Sequence, residues 1–297
     1  MRTLIVKFSS IGDCVMTLPV VAAIRDQRPD DFVGWAIDPR CRPVVHDPLL
    51  NLIHDIPWET WKRERASSLE QLRHYMKLRE YRFDFGLDLQ GHAKTAICLR
   101  FSGARKRWHV RSFDPLCRLL SRRVPDGGAV HTVDRNLEAL AVLGLQVPPN
   151  PRFPMPPVSP VSSVGPLVTI AVGTGHPKKN YGRWAEVGEG LQRAGADVVY
   201  VGGPGESAPS SAGRSLVGEL SLAETMAWIA SSRVHVAADT GSGHIAAAYG
   251  VPVVSVFGWT DPKLFRPYSE RAIVLDASPA MDAIAPEMIV AAALQAL

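Results

Sequence analysis

The chain has 297 residues, 46% of them hydrophobic, and a formal net charge of +4, which is more than one ordinary domain needs and ample for two cores. Its four cysteines, at 14, 41, 98 and 117, show no Cys-x-x-Cys spacing, which argues against a disulfide framework and for a reducing, cytoplasmic compartment. No stretch approaches about 18 uninterrupted apolar residues, and the amino terminus runs straight into a strand pattern, so neither a membrane span nor a signal segment is expected.

In chain order, Leu4, Ile5 and Val6 predict a buried strand. Lys7 to Ser10 lead out of it, and Ile11, Gly12 and Asp13 turn into a helix over about 14–27. The corner lacks Gly-x-Gly-x-x-Gly, which weakens a dinucleotide-dependent oxidoreductase. Asp13 stands there instead, either as a helix cap worth about 1 kcal/mol or as a general base at the mouth of a cleft. Strands at 33–37 and 83–89 then interleave with helices around 67–80, 93–101 and 132–143. Residues 1–150 carry 23 Lys and Arg against 17 Asp and Glu, whereas 151–297 carry 10 against 12. Clusters such as Lys62, Arg63, Arg65 and Arg105, Lys106, Arg107 suit a phosphorylated or membrane-surface partner, although any single member reads equally well as part of a solvated face. No helix-turn-helix, zinc-finger or ribonucleoprotein signature accompanies them, so no nucleic-acid partner is expected. Eight prolines between 148 and 166 mark a stiff linker, with domains expected at 1–150 and 167–297 and the linker at 151–166.

Beyond the linker, strands are predicted at 167–172, 197–201, 234–238 and 251–257, and helices near 183–194, 222–231 and 242–249. Both halves therefore alternate strand and helix, the pattern of parallel sheets covered by helices, with the cleft between them as the expected site. Val172, Gly173, Thr174, Gly175, His176, Pro177, Lys178 and Lys179 follow one strand. They supply small residues for close approach and then ammonium groups for a diphosphate. The run from Val199 to Glu206 ends a second strand in a glycine turn, with Glu206 placed to grip a ribose diol. The most informative corner is Asp239, Thr240, Gly241, Ser242, Gly243 and His244, between a buried strand and a helix closed by Gly250. The first turn of that helix aims unpaired amides and a partial positive charge at the corner. Its polar residues also suit a plain turn, but strand carboxyl ends are where open parallel sheets collect ligands.

These blocks resemble glycosyltransferase family 9, the lipopolysaccharide heptosyltransferases, two-domain enzymes of the GT-B type. The resemblance rests on VKFSSIGDCVMTLP at 6–19, LDLQGHAKTA at 87–96, HTVDRNLEAL at 131–140, VGGPGE at 201–206 and DTGSGHIAAAYGVPVVSVFGWTDP at 239–262. It implies an α/β fold with two Rossmann-like parallel-sheet domains facing across a cleft. The amino-terminal domain would take a lipopolysaccharide-core acceptor and the carboxyl-terminal one a nucleotide-activated heptose, typically ADP-heptose. Asp13 would be the catalytic base. Thr174, Gly175, Lys179, Glu206, Leu220, Asp239, Thr240, Gly241 and His244 would surround the donor, with Glu206 at the ribose and Leu220 at the base. The family's Lys-x-Trp-Pro run is replaced here by Lys179, Asn180, Tyr181 and Gly182, which leaves Lys178 and Lys179 both open as the phosphate ligand.

The implied reaction is inverting and metal-independent, with no cofactor. No Asp-x-Asp occurs in the chain, and protein cations with helix amides would carry the charge of the departing diphosphate. The implied partners are an ADP-sugar donor, a phosphorylated glycolipid acceptor and peripheral contact with a membrane surface at the inner face of a bacterial inner membrane. Two alternatives stay open: a GT-B transferase using another nucleotide sugar, and an inactive nucleotide- or phospholipid-binding protein of the same fold.

Overall fold

Short runs of Val, Ile, Leu and Ala, bounded by glycine, proline or polar turns, make strands covered on both faces. The structure, a computed structural model, describes residues 1–209 and 212–297, and those residues contain twelve strands, the central ones of this kind. The chain divides into two units, Met1–Pro156 and Pro157–Leu297. The division falls inside the proline-rich stretch, each side of which is tied to its own unit: the Arg152 guanidinium pairs with Asp26, and the Val161 N–H donates to Ser231 Oγ at 2.9 Å.

In the first unit the strands are β1 (Arg2–Val6), β2 (Phe32–Ile37), β3 (Leu52–Asp55), β4 (Phe85–Asp88), β5 (Lys106–His109) and β6 (Arg122–Arg123). They form one parallel sheet in the order β3-β2-β1-β4-β5-β6. The second unit holds β7 (Leu167–Ala171), β8 (Asp197–Val201), β9 (Arg214–Ser215), β10 (Val234–Ala238), β11 (Val253–Phe257) and β12 (Ala272–Asp276). Its order, β12-β11-β10-β7-β8-β9, repeats that arrangement, again all parallel. Each unit is thus a doubly wound sheet, as the alternation of elements predicts. The order reverses between β1 and β4 in one unit and between β7 and β10 in the other, and such reversals open a crevice at the strands' carboxyl ends.

Each sheet is covered by its own apolar layer. Leu4, Val6 and Phe8 pack with Ala36, Phe83 and Leu99 in the first unit, and Val168, Ile170, Val198 and Val236 pack with Val187 and Leu191 in the second. The terminal helix Pro286–Ala296 places Ile289, Ala292 and Ala293 in the second unit's core. Gly190 is what lets it come close to the helix Trp184–Arg193, because a Cβ there would stand 2.7 Å from Val290 Cγ2.

Two helices depart from expectation. The single helix expected over 14–27 is two, Ile11–Val15 and Leu18–Gln27, because Pro19 has no N–H to give Val15 and its ring crowds the preceding turn. The helix expected over 132–143 is α-helical only to Leu137 and tightens to a 3-10 helix over Glu138–Leu143. No helix among the described residues is long and apolar enough to cross a membrane.

Candidate functional site

In the second unit the crevice between β7 and β10 is bridged by one ion pair. Lys179 Nζ lies 2.5 Å from Asp239 Oδ2, and the Thr260 hydroxyl donates to the same oxygen. Lys179 ends a 3-10 turn, Pro177–Lys179, whose start is capped by His176 accepting from the Lys178 N–H at 3.2 Å. That turn sends the two lysines different ways. Lys178 Nζ sits 3.8 Å over the Trp259 ring, against which His176 is stacked, while Lys179 reaches the corner. Asp239 is only 6% exposed at its side chain, and a carboxylate so buried needs both partners.

The corner's remaining residues follow from the helix that starts there. Thr240 is the extended residue before the helix Gly241–Ala248, and its hydroxyl pairs with Ser242 Oγ at 2.8 Å rather than capping the helix amides. The first-turn N–H groups at Gly241 therefore have no capping bond from Thr240, the condition for binding an anion there. His244 is buried in that first turn, and Gly250 ends the segment at φ +76°, the left-handed position expected of it.

Glu206 occupies a slot made of glycine. Its Oε2 accepts from the Gly203 N–H at 2.8 Å. A Cβ on Gly173 would lie 1.6 Å from its carboxyl carbon, and one on Gly202 would lie 2.5 Å from Oε2. Gly173→Ala is therefore expected to evict the Glu206 carboxylate with little change in secondary structure and, where Glu206 grips a ribose as the family resemblance implies, to weaken ADP binding, checked by ADP titration beside circular dichroism. An unchanged ADP affinity would detach Glu206 from the ligand. Thr174 and Gly175 form the loop between Gly173 and the lysine turn, where Thr174 Oγ1 donates to the His176 carbonyl at 2.7 Å and Gly175 has nothing within 4 Å of its would-be Cβ. Leu220 is half-buried on a separate apolar cluster with Leu216 and Trp228, beneath Leu167, Ala171 and Val199. The structure therefore brings Lys179, Asp239, Thr240 and Gly241 to one crevice, sets Glu206 against Gly173, two residues past the end of β7, and puts Leu220 on that other cluster.

The first unit has a corner of the same design. Lys7, 4% exposed, gives its ammonium to Asp13 Oδ1 at 2.8 Å and to the Leu89 carbonyl at 3.2 Å. The Phe8 N–H donates to Gln90 Oε1 at 2.8 Å, so the β1 to β4 crevice is bridged twice. Asp13 Oδ2 accepts from the Ser10 N–H at 3.3 Å and Oγ at 3.0 Å. The cap reading and the base reading are thus both open to the same side chain, which stays 30% exposed. Burial pushes the Asp13 carboxyl up, but the Lys7 charge and the Lys7 and Ser10 hydrogen bonds outweigh it and hold the group down at about 2. Nearby Asp88, fully buried, goes the other way. Burial raises it to about 6 despite hydrogen bonds from the Gly91 and Gln90 amides and Thr95.

Lys7 is the residue that sequence reading passed over, with Gln90, Trp259 and Thr260. Its signal was a cation directly after a buried strand, but the Leu89 carbonyl that it reaches comes from the other side of the crevice. A depressed carboxylate adds stability that is present above its unfolded pKa, near 3.8, and is lost as pH falls through the folded value. Lys7→Met should remove that contribution, leaving the variant and the wild type closer in stability at the acid end than at neutral pH. It should also leave burial less opposed, so that, with Asp13 as the base that the resemblance implies, the acid limb of kcat/KM moves up in pH. An acid limb unmoved in Lys7→Met would show that Asp13 does not set it.

Comparison with known proteins finds one family. The family model described as glycosyltransferase family 9 (heptosyltransferase) matches residues 71–283. The lipopolysaccharide heptosyltransferase 1 of Pseudomonas aeruginosa is 27% identical over 93% of this chain and 83% of its own. Among solved structures, Escherichia coli heptosyltransferase WaaC with ADP superposes with a TM-score of 0.83 at 22% identity, covering 100% of both chains. The Escherichia coli ADP-heptose lps heptosyltransferase II gives 0.80 at 23% identity, over 100% of this chain and 98% of that one.

Proposed function

We propose, from the premise that this chain belongs to glycosyltransferase family 9, the heptosyltransferases, that it moves a heptose from ADP-heptose to a lipopolysaccharide-core or related glycolipid acceptor with inversion. The fold is the GT-B pair of doubly wound sheets, and the enzyme is a glycosyltransferase. The observation that carries the donor assignment is the Lys179 to Asp239 pair at the sheet reversal, beside the uncapped start of the helix Gly241–Ala248.

In this reading the acceptor hydroxyl oxygen attacks the anomeric carbon and its proton passes to Asp13. The bond from that carbon to the β-phosphate oxygen breaks, and the electron pair leaves with ADP. Lys179 and the amides at Gly241 meet the charge that develops on the diphosphate, which is where fixed donors lower a barrier most. Thr174 and Gly175 line the donor's approach, Glu206 takes the ribose hydroxyls, Leu220 lies under the base, and Thr240 and His244 complete the corner. Asp239 orients Lys179. An acceptor carrying lipid and phosphate means a cytoplasmic enzyme working against a membrane surface, consistent with the basic excess of residues 1–150.

The test is a thermal-shift panel of ADP, UDP and GDP at equal concentration. A ligand at 100 times its dissociation constant adds about 2.7 kcal/mol to the stability of the form that binds it, so ADP should raise the melting temperature and the other two should not. Stabilisation by UDP alone would replace the adenine assignment with another nucleotide sugar.

A further inference from the structure

At the free edge of the first sheet, β5, β6 and the helix Pro115–Leu120 enclose a cavity of about 600 Å³. Five of its lining residues are cations, Arg105, Lys106, Arg107, Arg118 and Arg122, and none is a carboxylate. The register places it. Lys106 is level with Phe85, which is level with Thr3 near the start of β1, whereas Asp13 follows the end of β1. The cavity is therefore not part of the Asp13 corner.

Most of these cations are held by neutral groups. The Arg107 guanidinium donates to the Ala104 carbonyl at 2.9 Å and the Leu120 carbonyl at 3.1 Å. Arg118 Nε donates to Ser112 Oγ at 3.1 Å, and Lys106 lies 4.9 Å over the Phe85 ring. Arg105 alone has a carboxylate, Asp84, at 3.8 Å and in solvent. Burial first, then Arg123 and Arg118, depress the neighbouring His109 imidazole, although Arg123, outside the cavity lining, is itself paired with Asp126. The other wall is apolar, with Phe85, Leu120 and Val142. Leu119 stands 78% exposed between Arg118 and Leu120.

We propose that this edge is a docking surface for anionic phospholipid, the cations taking headgroup phosphates while Leu119 enters the acyl boundary. It rests on the reading of a membrane-borne acceptor and names the face that meets the membrane. Cations without acids select an anion. A large aliphatic side chain held in water among them selects a bilayer over a soluble phosphate or a nucleic acid, since only a bilayer offers phosphate and hydrocarbon a few ångströms apart.

The experiment is co-sedimentation of the full chain with vesicles of phosphatidylcholine alone and vesicles enriched in phosphatidylglycerol. The wild type should bind only the second, less tightly as salt rises. Arg118→Glu with Arg122→Glu should lower that affinity at least about 25-fold, at roughly fivefold per cation lost. Leu119→Ser should lower it with the salt dependence kept. Both variants should keep the wild-type shift with ADP, which separates a lost surface from a lost fold. Wild-type binding matched by the double variant would leave the membrane-borne acceptor standing and overturn this face. No wild-type binding to either vesicle would overturn both. Binding abolished by millimolar inorganic phosphate at constant ionic strength would make the cavity a small-anion site and overturn the docking surface.

Discussion

Asp13→Asn is expected to lower the transfer rate by about 10²–10⁴-fold, the range for losing a positioned general base, while the ADP-induced thermal shift stays at its wild-type value. Asparagine keeps the carbonyl oxygen that receives the Ser10 donors and loses the charge that faces Lys7. The variant should therefore fold, somewhat less stably, with the Lys7 ammonium left to the Leu89 carbonyl. A carboxylate held at about 2 is an unpromising base towards a free alcohol. It is charged at every working pH, however, and the hydroxyl grows acidic as its oxygen bonds to a cationic anomeric carbon, so proton transfer becomes favourable late in the step. Full transfer activity in Asp13→Asn would end the base assignment. A lost ADP shift would mean that the substitution had acted on folding or the donor instead.

What the sequence discloses and what it hides divide along the range of the interactions involved. The helix Leu222–Ser231 falls where expected because its instructions are local. Ser221 and Glu224 form a reciprocal capping box, and the segment ends as the chain enters β10. The central strands β7, β8 and β10 are equally plain, being apolar runs buried along nearly their whole length. Strands β6 and β9 are not. Each is two residues long and begins with an arginine, and each exists only because β5 or β8 offers a free edge. β3, with its half-buried Leu-Ile-His-Asp, carries no stronger pattern.

The candidate site shows the same division. Asp13, Asp239, Thr240 and Gly241 stand at corners that the local order of apolar and turn residues marks. The choice between Lys178 and Lys179 is invisible there, because adjacent lysines have one chemistry and differ only in where a 3-10 turn aims them. Lys7 is hidden for a related reason: its meaning depends on β4 lying beside β1, 82 residues along the chain to Leu89. The Glu206 slot is hidden too, since the need for Gly173 arises only when the carboxylate from another strand end is brought against it.

Lys179→Met should reduce the transfer rate by about 10²–10³-fold, the usual loss when one fixed donor to a developing negative charge is removed, and weaken ADP binding by roughly tenfold or more, the worth of a charge-assisted hydrogen bond. Methionine keeps the unbranched stem, so the turn Pro177–Lys179 and its His176 cap persist. What changes is Asp239, which retains the Thr260 hydroxyl and loses its cation in a nearly buried position. An unpaired buried carboxylate is costly, so Lys179→Met alone should also lower the melting temperature, and Lys179→Met with Asp239→Asn should recover part of that loss without recovering activity. Lys178→Met is the matched control. Its ammonium rests on the Trp259 ring, so its removal should change stability slightly and the rate by far less than the Lys179 substitution. If the two single variants lost transfer equally, the diphosphate would be held by both lysines and the turn would have to re-form around the donor. If Lys178→Met alone lost it, the crevice between β7 and β10 would not be the place where the leaving group's charge is met.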